Sequence, residues 1–491
     1  MKGSLLDISN LTIKHVSKLI TSRQISCLEL VDATIERIEK LNPKLNAFIT
    51  ILDESARREA RHADSLIKQG KYLGPLHGIP VSFKDLIYVK GVKSTSGSKI
   101  LADFVPDYDS TVTRKLRKAG AIIVGTNNTH EFACGITNIN PHYGPSRNPW
   151  DIDRMSGGSS GGSAVAVSGG MSLASIGTDT SGSIRVPSSL CGIFGLKPTY
   201  GRVSKYGVMP LAPSIDHVGP LARSAWDIAA VLDVIAGYDK LDPSSAKVPI
   251  PDYLKEISYS EGRRRGRTNS HNDSNKKFKI GIPKQFFFDM VEPKVMEIFR
   301  AFVDRLNGCG ITTVSNVDVQ GTDKIFETWR AIRLGESAAT HDEWMASPSR
   351  QDYGEDVIRM LQKGQEITAV HYINALHKWR QEIKDAFLKA MSGYDALLVP
   401  TTIIAAPFLN QKEVNIEGKT TEVYLSLSKL TTVFDITGLP ALNIPAGLVD
   451  LKLPVGVQLV GRPFDESRML KIAYTYEQQY NLAEQPLPAI Y

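Results

Sequence analysis

Cysteine is scarce in this chain and poorly placed for cross-linking: Cys27, Cys134, Cys191 and Cys309 lie far apart and form no Cys-x-x-Cys pair. That argues against a zinc knuckle and against a disulfide-built secreted scaffold, and it points to a reducing, cytoplasmic setting. Long apolar runs are missing as well. No window reaches the roughly 18 uninterrupted apolar residues of a membrane span, and the opening "MKGSLLDISNLTIKHVSKLI" has no sustained apolar core. An excess of charge is also lacking. The formal net charge of +6 is small for 491 residues and sits partly in one short run, so it calls for no nucleic-acid partner. What is present is ordinary: 42% hydrophobic and 22% charged residues describe a soluble folded protein long enough to bury a large core.

Helix and strand patterns alternate along the chain, which predicts an α/β fold. "CLELVDATIERIEKLNP" has helical spacing with Pro43 as its expected stop, and "DESARREARHADSLIKQG" is a second helix ended by Gly70. "HGIPVSFKD" and "AIIVG" read as buried strands around the helix "DSTVTRKLRKAG". Ser224 is the expected N-cap of "SAWDIAAVLDVIAG". Residues 1–65 are expected as a helical segment packing on one main domain, 66–491. "SEGRRRGRTNSHNDSNKK", residues 260–277, is polar, aperiodic and free of aromatics, so it reads as an exposed loop in preference to an RNA-binding patch.

The most unusual stretch is "MSGGSSGGSAVAVSGG", Met155 to Gly170. A flexible linker would not run straight into "SAVAV", which looks like the buried first turn of a helix. Neither nucleotide fingerprint is satisfied, since no Gly-Lys-Ser/Thr follows and no Gly-x-Gly-x-x-Gly stands between a strand and a helix. Gly157, Ser159 and Gly161 match the Gly-x-Ser-x-Gly elbow of α/β-hydrolases, yet the polar "SRNPWDIDRM" before them is not the apolar strand that elbow needs. Ser-x-x-Lys recurs along the chain, as at Ser96, Ser274 and Ser426, and carries nothing. The remaining reading is an active-site loop that supplies one hydroxyl to a set completed elsewhere.

Downstream, "GTDTSGSIR" places Thr180, Ser181 and Gly182 before Ser183, small residues whose amides can turn into a cavity and hold an oxyanion. A base is then required. His77, His130 and His217 have no motif to support them and read as structural. Lys84 interrupts an apolar strand, and burial would lower its pKa towards neutrality, making it a usable base. A pairing of Lys84 with Asp85 is the competing reading.

Taken together, "GGSSGGSAVAVSGGMSLASIGTDTSGSIRVPSSLCGIFGLKPTYGRVS" is similar to the defining signature of the amidase signature family. The likeness extends through "GPLHGIPVSFKD", "AGAIIVGTNNTHEFACG", "NPHYGPSRNPWD", "FDITGLPALNIPAG" and "PVGVQLVGRPFDE". It implies a large mixed β-sheet core covered by helices on both sides. It also implies a Ser–Ser–Lys triad: Ser183 as nucleophile, Ser159 as the bridging serine on a cis peptide bond, and Lys84 as base. Thr180, Ser181, Gly182 and Ser183 would form the oxyanion hole, Ser181 replacing the Gly of many relatives. Asp179, Arg185 and Ser160 would brace the loop behind them. No metal or cofactor is called for, and a homodimer is the family-level expectation.

The family resembled includes free-standing amidases and the A subunit of glutamyl-tRNA amidotransferase. The pattern of that A subunit has an Asp ten residues before "GLP", where this chain has Ser428, and an Arg in a segment like "YGEDVIRML", where Met360 aligns and a one-residue shift recovers Arg359. Those departures, with the free-standing character of "THEFACG" and "NPHYG", lead to the expectation of a free-standing amidase. An uncharged pocket for neutral, apolar or aromatic small-molecule amides goes with it. The alternative is the glutamine-hydrolysing component of the amidotransferase, and only there would nucleic acid enter, through the amidotransferase complex.

Overall fold

A computed structural model describes residues 7–264, 278–482 and 488. Its core is an eleven-stranded mixed sheet. In chain order the strands are β1 (Phe48–Ile51), β2 (Pro80–Lys84), β3 (Ile122–Asn127), β4 (Ala174–Asp179), β5 (Phe194–Lys197), β6 (His217–Ala222), β7 (Lys279–Pro283), β8 (Thr312–Val317), β9 (Ala396–Pro400), β10 (Ala441–Val449) and β11 (Leu453–Val460). In space they run β1-β3-β2-β4-β6-β5-β10-β11-β9-β7-β8. β2 lies parallel to both β3 and β4, with Val81 opposite Ala174 and Phe83 opposite Ile176.

Alternation along the strands shows that both faces of the sheet are covered. Ala396 and Leu398 of β9 join one apolar cluster, together with Phe299 and Phe302 of helix Pro293–Gly308. Leu397 and Val399, one residue out of phase, join the opposite cluster with Trp329 and Ile332 of helix Ile325–Thr340. Ser224 caps its helix as its sequence position suggests, accepting from the Asp227 amide at 2.9 Å. No helix among the described residues is long and apolar enough to cross a membrane.

The structure departs from the sequence reading in four places. Helix Cys27–Leu45 runs through Pro43 and ends two residues later, where left-handed Asn46 donates its N–H to the Asn42 carbonyl. A proline so near the end of a helix removes only one late hydrogen bond, and the cap beyond it closes the last turn. The segment 1–65 is not purely helical, because β1 is an edge strand of the main sheet, and its last helix continues to Lys68. Helix Tyr253–Arg264 extends into the segment expected as a loop, while residues 265–277 lie outside the described residues. Finally, a strand does precede the Gly/Ser stretch: Asp151–Met155 pairs with Arg147–Asn148 in a separate two-stranded ribbon. It is not part of the main sheet, so it does not build a nucleophile elbow.

Candidate active site

Lys84 is the last residue of β2, and Thr178 and Asp179 end the neighbouring parallel β4, so all three emerge at the carboxyl edge of adjacent strands. Open α/β sheets place their ligand sites at that edge. Each of the two serine loops then leads into a short helix, Gly161–Ser168 after Ser159 and Arg185–Cys191 after Ser183.

Lys84 is 0% exposed, and its Nζ lies 2.7 Å from Ser159 Oγ and 2.7 Å from Thr178 Oγ1. Burial lowers its pKa to about 7, against the opposing pull of Asp179 and Asp216. Asp85 does not pair with it. That carboxylate accepts instead from the amide of Thr95 at 2.9 Å and from its hydroxyl. A buried amine with two hydroxyl neighbours and no carboxylate contact is able to take a proton near neutral pH.

The Gly158–Ser159 peptide is cis. Gly157 has φ +74°, and a Cβ on Gly158 would sit 2.8 Å from the Asn138 nitrogen, so side chains are excluded from this turn. The Ser160 amide donates to the Ser183 carbonyl at 3.2 Å, which ties the two serine loops together. Ser160 Oγ donates to the Thr178 carbonyl at 3.1 Å. Among the described residues no hydrogen bond joins Ser159 Oγ to Ser183 Oγ, although both serines are buried here. Such contacts commonly tighten only once substrate is bound.

Asp179 organises the loop that follows it. Its carboxylate accepts from the amides of Gly182 at 2.5 Å and Ile184 at 3.1 Å, and from Arg185 Nε at 3.0 Å and Nη2 at 3.1 Å. Burial works against its charge, but Arg185 holds its pKa well below the usual carboxylate range. Arg185, 0% exposed, also reaches Asp435 at 2.6 Å, Gln458 at 2.9 Å and the Thr431 carbonyl at 3.0 Å. Asp435 is the weaker acid of the pair, pushed up by burial and by the charge on Asp179.

This bonding corrects one part of the expected oxyanion hole. The Gly182 amide is already taken by Asp179. The amides of Thr180, Ser181 and Ser183 make no hydrogen bond among the described residues and remain as candidate donors. Gly182 contributes space instead: at φ +113° a Cβ would lie 2.2 Å from Thr431 Oγ1. Thr431 donates that hydroxyl to the Ser181 carbonyl at 2.6 Å, and Thr180 donates its own to Asp216 at 2.6 Å. On the Thr178 and Thr180 side lies a cavity of about 120 Å³, lined also by Ala133, Val208, Met209 and Leu211.

The histidines are engaged elsewhere. His77 bonds the Leu73 amide and the Ala63 carbonyl, His130 bonds Asp356 at 2.8 Å, and His217 bonds the Ile215 carbonyl at 2.8 Å. Burial drives the His217 pKa well below its ordinary value, so it stays neutral.

Residues missed in the sequence cluster on helix Ile325–Thr340. Trp329 donates its indole N–H to Ser181 Oγ at 2.7 Å, and Arg333 lies against the rings of Trp329 and Tyr424. Met360 is half-buried against the core, Arg359 is exposed, and the Ser428 hydroxyl is turned back to the Tyr424 carbonyl at 2.9 Å. Trp329 thus stands between Ser181 and Arg333, a cation that the expectation of an uncharged pocket, based on Met360 and Ser428, does not take into account. A lone arginine at helical spacing carries no sequence signal of its own; only the fold puts it beside the serine loop.

A family model described as Amidase matches residues 29–470. The chain is 36% identical over 495 residues to the A subunit of the glutamyl-tRNA(Gln) amidotransferase of Carboxydothermus hydrogenoformans, covering 96% of this chain and 98% of that protein. Further bacterial proteins of that name stand at 35% to 37% identity. Among solved structures, a chain of an inhibitor-bound vestigial protein complex, described as revealing the evolutionary origins of an s-triazine catabolic enzyme, superposes with a TM-score of 0.89 at 30% identity, covering 97% of this chain and 100% of that one. A crystal structure of an amidase gives a TM-score of 0.84 at 31% identity, covering 96% and 100%.

Proposed function

The chain belongs to the amidase family and is an amide-hydrolysing enzyme, and from that premise we propose that it works through Ser183, Ser159 and Lys84. Neutral Lys84 accepts a proton from Ser159 as Ser159 accepts one from Ser183. Ser183 Oγ then forms a C–O bond to the amide carbonyl, whose oxygen is held by amides of the 180–183 loop. As the C–N bond breaks, the proton returns along the same relay to the leaving nitrogen, and for a primary amide ammonia departs. Water, deprotonated through the relay, attacks the acyl carbon; the bond to Ser183 breaks and a carboxylate leaves. The observation that carries this reading is Lys84 Nζ, buried with a pKa of about 7, at 2.7 Å from Ser159 Oγ.

The relatives supply the first reading of the substrate. Similarity along nearly the whole chain to the A subunits of glutamyl-tRNA(Gln) amidotransferases supports glutamine as the ammonia source and a partner as its receiver. The expected free-standing amidase acting on neutral amides draws no such support from those relatives. It remains the second reading because Ser428 and Met360 stand where the amidotransferase pattern has an acid and an arginine.

The test is ammonia release from glutamine and from a panel of free amides, by wild type and by Ser183→Ala, with a fluorophosphonate adduct mapped to its residue. Labelling of Ser183 supports the triad as assigned, and labelling of Ser159 overturns it. Glutamine turnover that requires a partner and tRNA selects the first substrate reading. Turnover of free amides by the chain alone selects the second.

A further inference from the structure

Arg333 is 3% exposed, yet no carboxylate among the described residues stands within ion-pair distance of it. Its one hydrogen bond there runs from Nη2 to the Cys134 carbonyl at 2.5 Å. The guanidinium carbon lies 5.4 Å from the centre of the Trp329 ring and 5.9 Å from that of Tyr424, and the two rings are 6.5 Å apart. Aromatic faces ease the burial of a cation but bring no counter-charge.

The acids around it are occupied. Glu131, Asp356 and Asp216 all act on the neighbouring Cys134 thiol. Glu131 binds Ser98, His142 and the Gly354 amide; Asp356 binds His130; Asp216 binds Thr180 and the amides of Leu211 and Ala212. Glu336, one turn further along the helix, accepts from Tyr372 and from the Ser214 amide. A buried guanidinium whose remaining donors meet no acceptor among the described residues is set up for a planar anion that accepts two parallel N–H bonds.

Its place ties that anion to the reaction. Trp329, on which Arg333 rests, holds Ser181 at 2.7 Å, two residues before Ser183. On its other side, Arg333 donates to the carbonyl of Cys134, whose neighbour Ala133 lines the cavity beside Thr178 and Thr180. We infer that Arg333 is the specificity-determining cation of this site and receives a carboxylate carried by the acyl part of the substrate. The substrate class is then a short amide whose acyl chain ends in a second, ionised carboxyl group. The inference rests on the proposed acylation of Ser183 and says which acyl groups are brought to it.

The probes are succinamate and glutaramate, each compared with a neutral amide of the same length, on wild type, Arg333→Met and Arg333→Lys. Wild type is expected to favour the carboxylate-bearing amides in kcat/KM. Arg333→Met should cost them roughly 100-fold, mainly in KM, the scale of a lost charge-assisted pair. The neutral amides should change by less than about threefold, and Arg333→Lys should fall between. A wild-type preference for neutral amides, or an equal loss on both kinds, overturns the inference. Calorimetric binding of glutarate to Ser183→Ala, abolished by adding Arg333→Met, supports the carboxylate site without turnover; equal binding by both proteins overturns it. If Ser183→Ala still hydrolyses amides, the triad reading fails while the glutarate measurement still decides the role of Arg333.

Discussion

Arg185 and Arg333 are both buried and are furnished in opposite ways. Arg185 spends its donors on two carboxylates, a carboxamide and a carbonyl, and joins the serine loop to the segment around Thr431 and Asp435. Arg333 has one carbonyl and two ring faces. A buried ion fully met by its own protein is architecture, since removing one partner strands the other in a medium that cannot solvate it. A buried ion left partly unmet is open to a partner from outside the protein. On the proposed reading, the contrast separates the region assigned the chemistry, residues 84 to 185, from the helix at 325–340 proposed to select what is brought to it.

The largest expected effects lie in the first region. Ser183→Ala and Lys84→Ala should each lower kcat by about 10⁴-fold or more, measured as ammonia release at saturating amide. Asp179→Asn should destabilise the fold by roughly 3–5 kcal/mol because it leaves Arg185 underpaired, read by urea unfolding. Arg333→Met should cost under about 1 kcal/mol in the same assay, as it strands no partner charge. Equal losses in those two variants would erase the distinction between the arginines.

The pH dependence sharpens the picture of Lys84. Its folded pKa of about 7 lies below its ordinary 10.5, so between those values the unfolded chain holds a proton that the folded chain lacks. Stability therefore rises with pH across that window, and the native protein bears a penalty at pH 7. Lys84→Met, though inactive, should melt higher than wild type at pH 7, with the gain fading as pH approaches 10. In wild type, kcat/KM should climb about tenfold per pH unit below 7 and level off above it. A flat profile from pH 5 to 9 would remove Lys84 from the role of base. The smallest effect is expected for Ser181→Ala, a loss of a few-fold in kcat/KM as the Trp329 indole loses its acceptor.

How much of this the sequence disclosed follows the same division. β2 and β4, the capped helix after Ser224 and the two serine loops were legible because apolar runs, turn glycines and small-residue stretches are local signals. The pairing of Lys84 with Ser159 was legible only through resemblance, since 75 residues separate them and no periodicity connects them. The capture of the Gly182 amide by Asp179 was not legible, because it depends on how one short loop turns. Arg333 was invisible for a different reason: its importance lies in what does not surround it, and residue order says nothing of an absent neighbour.

The order of strands carries a consequence for how the molecule is made. β10 and β11, residues 441–460, lie between β5 at 194–197 and β9 at 396–400. A ribosome delivers those two strands after the other nine of the sheet, so a nascent chain before then has two unfinished sheet halves with naked edges. Asp435 and Gln458, which steady Arg185 behind the serine loop, arrive in the same late stretch. The emerging polypeptide thus lacks the brace on its serine loop until β10 and β11 arrive, and until then its open strand edges are available for wrong pairing.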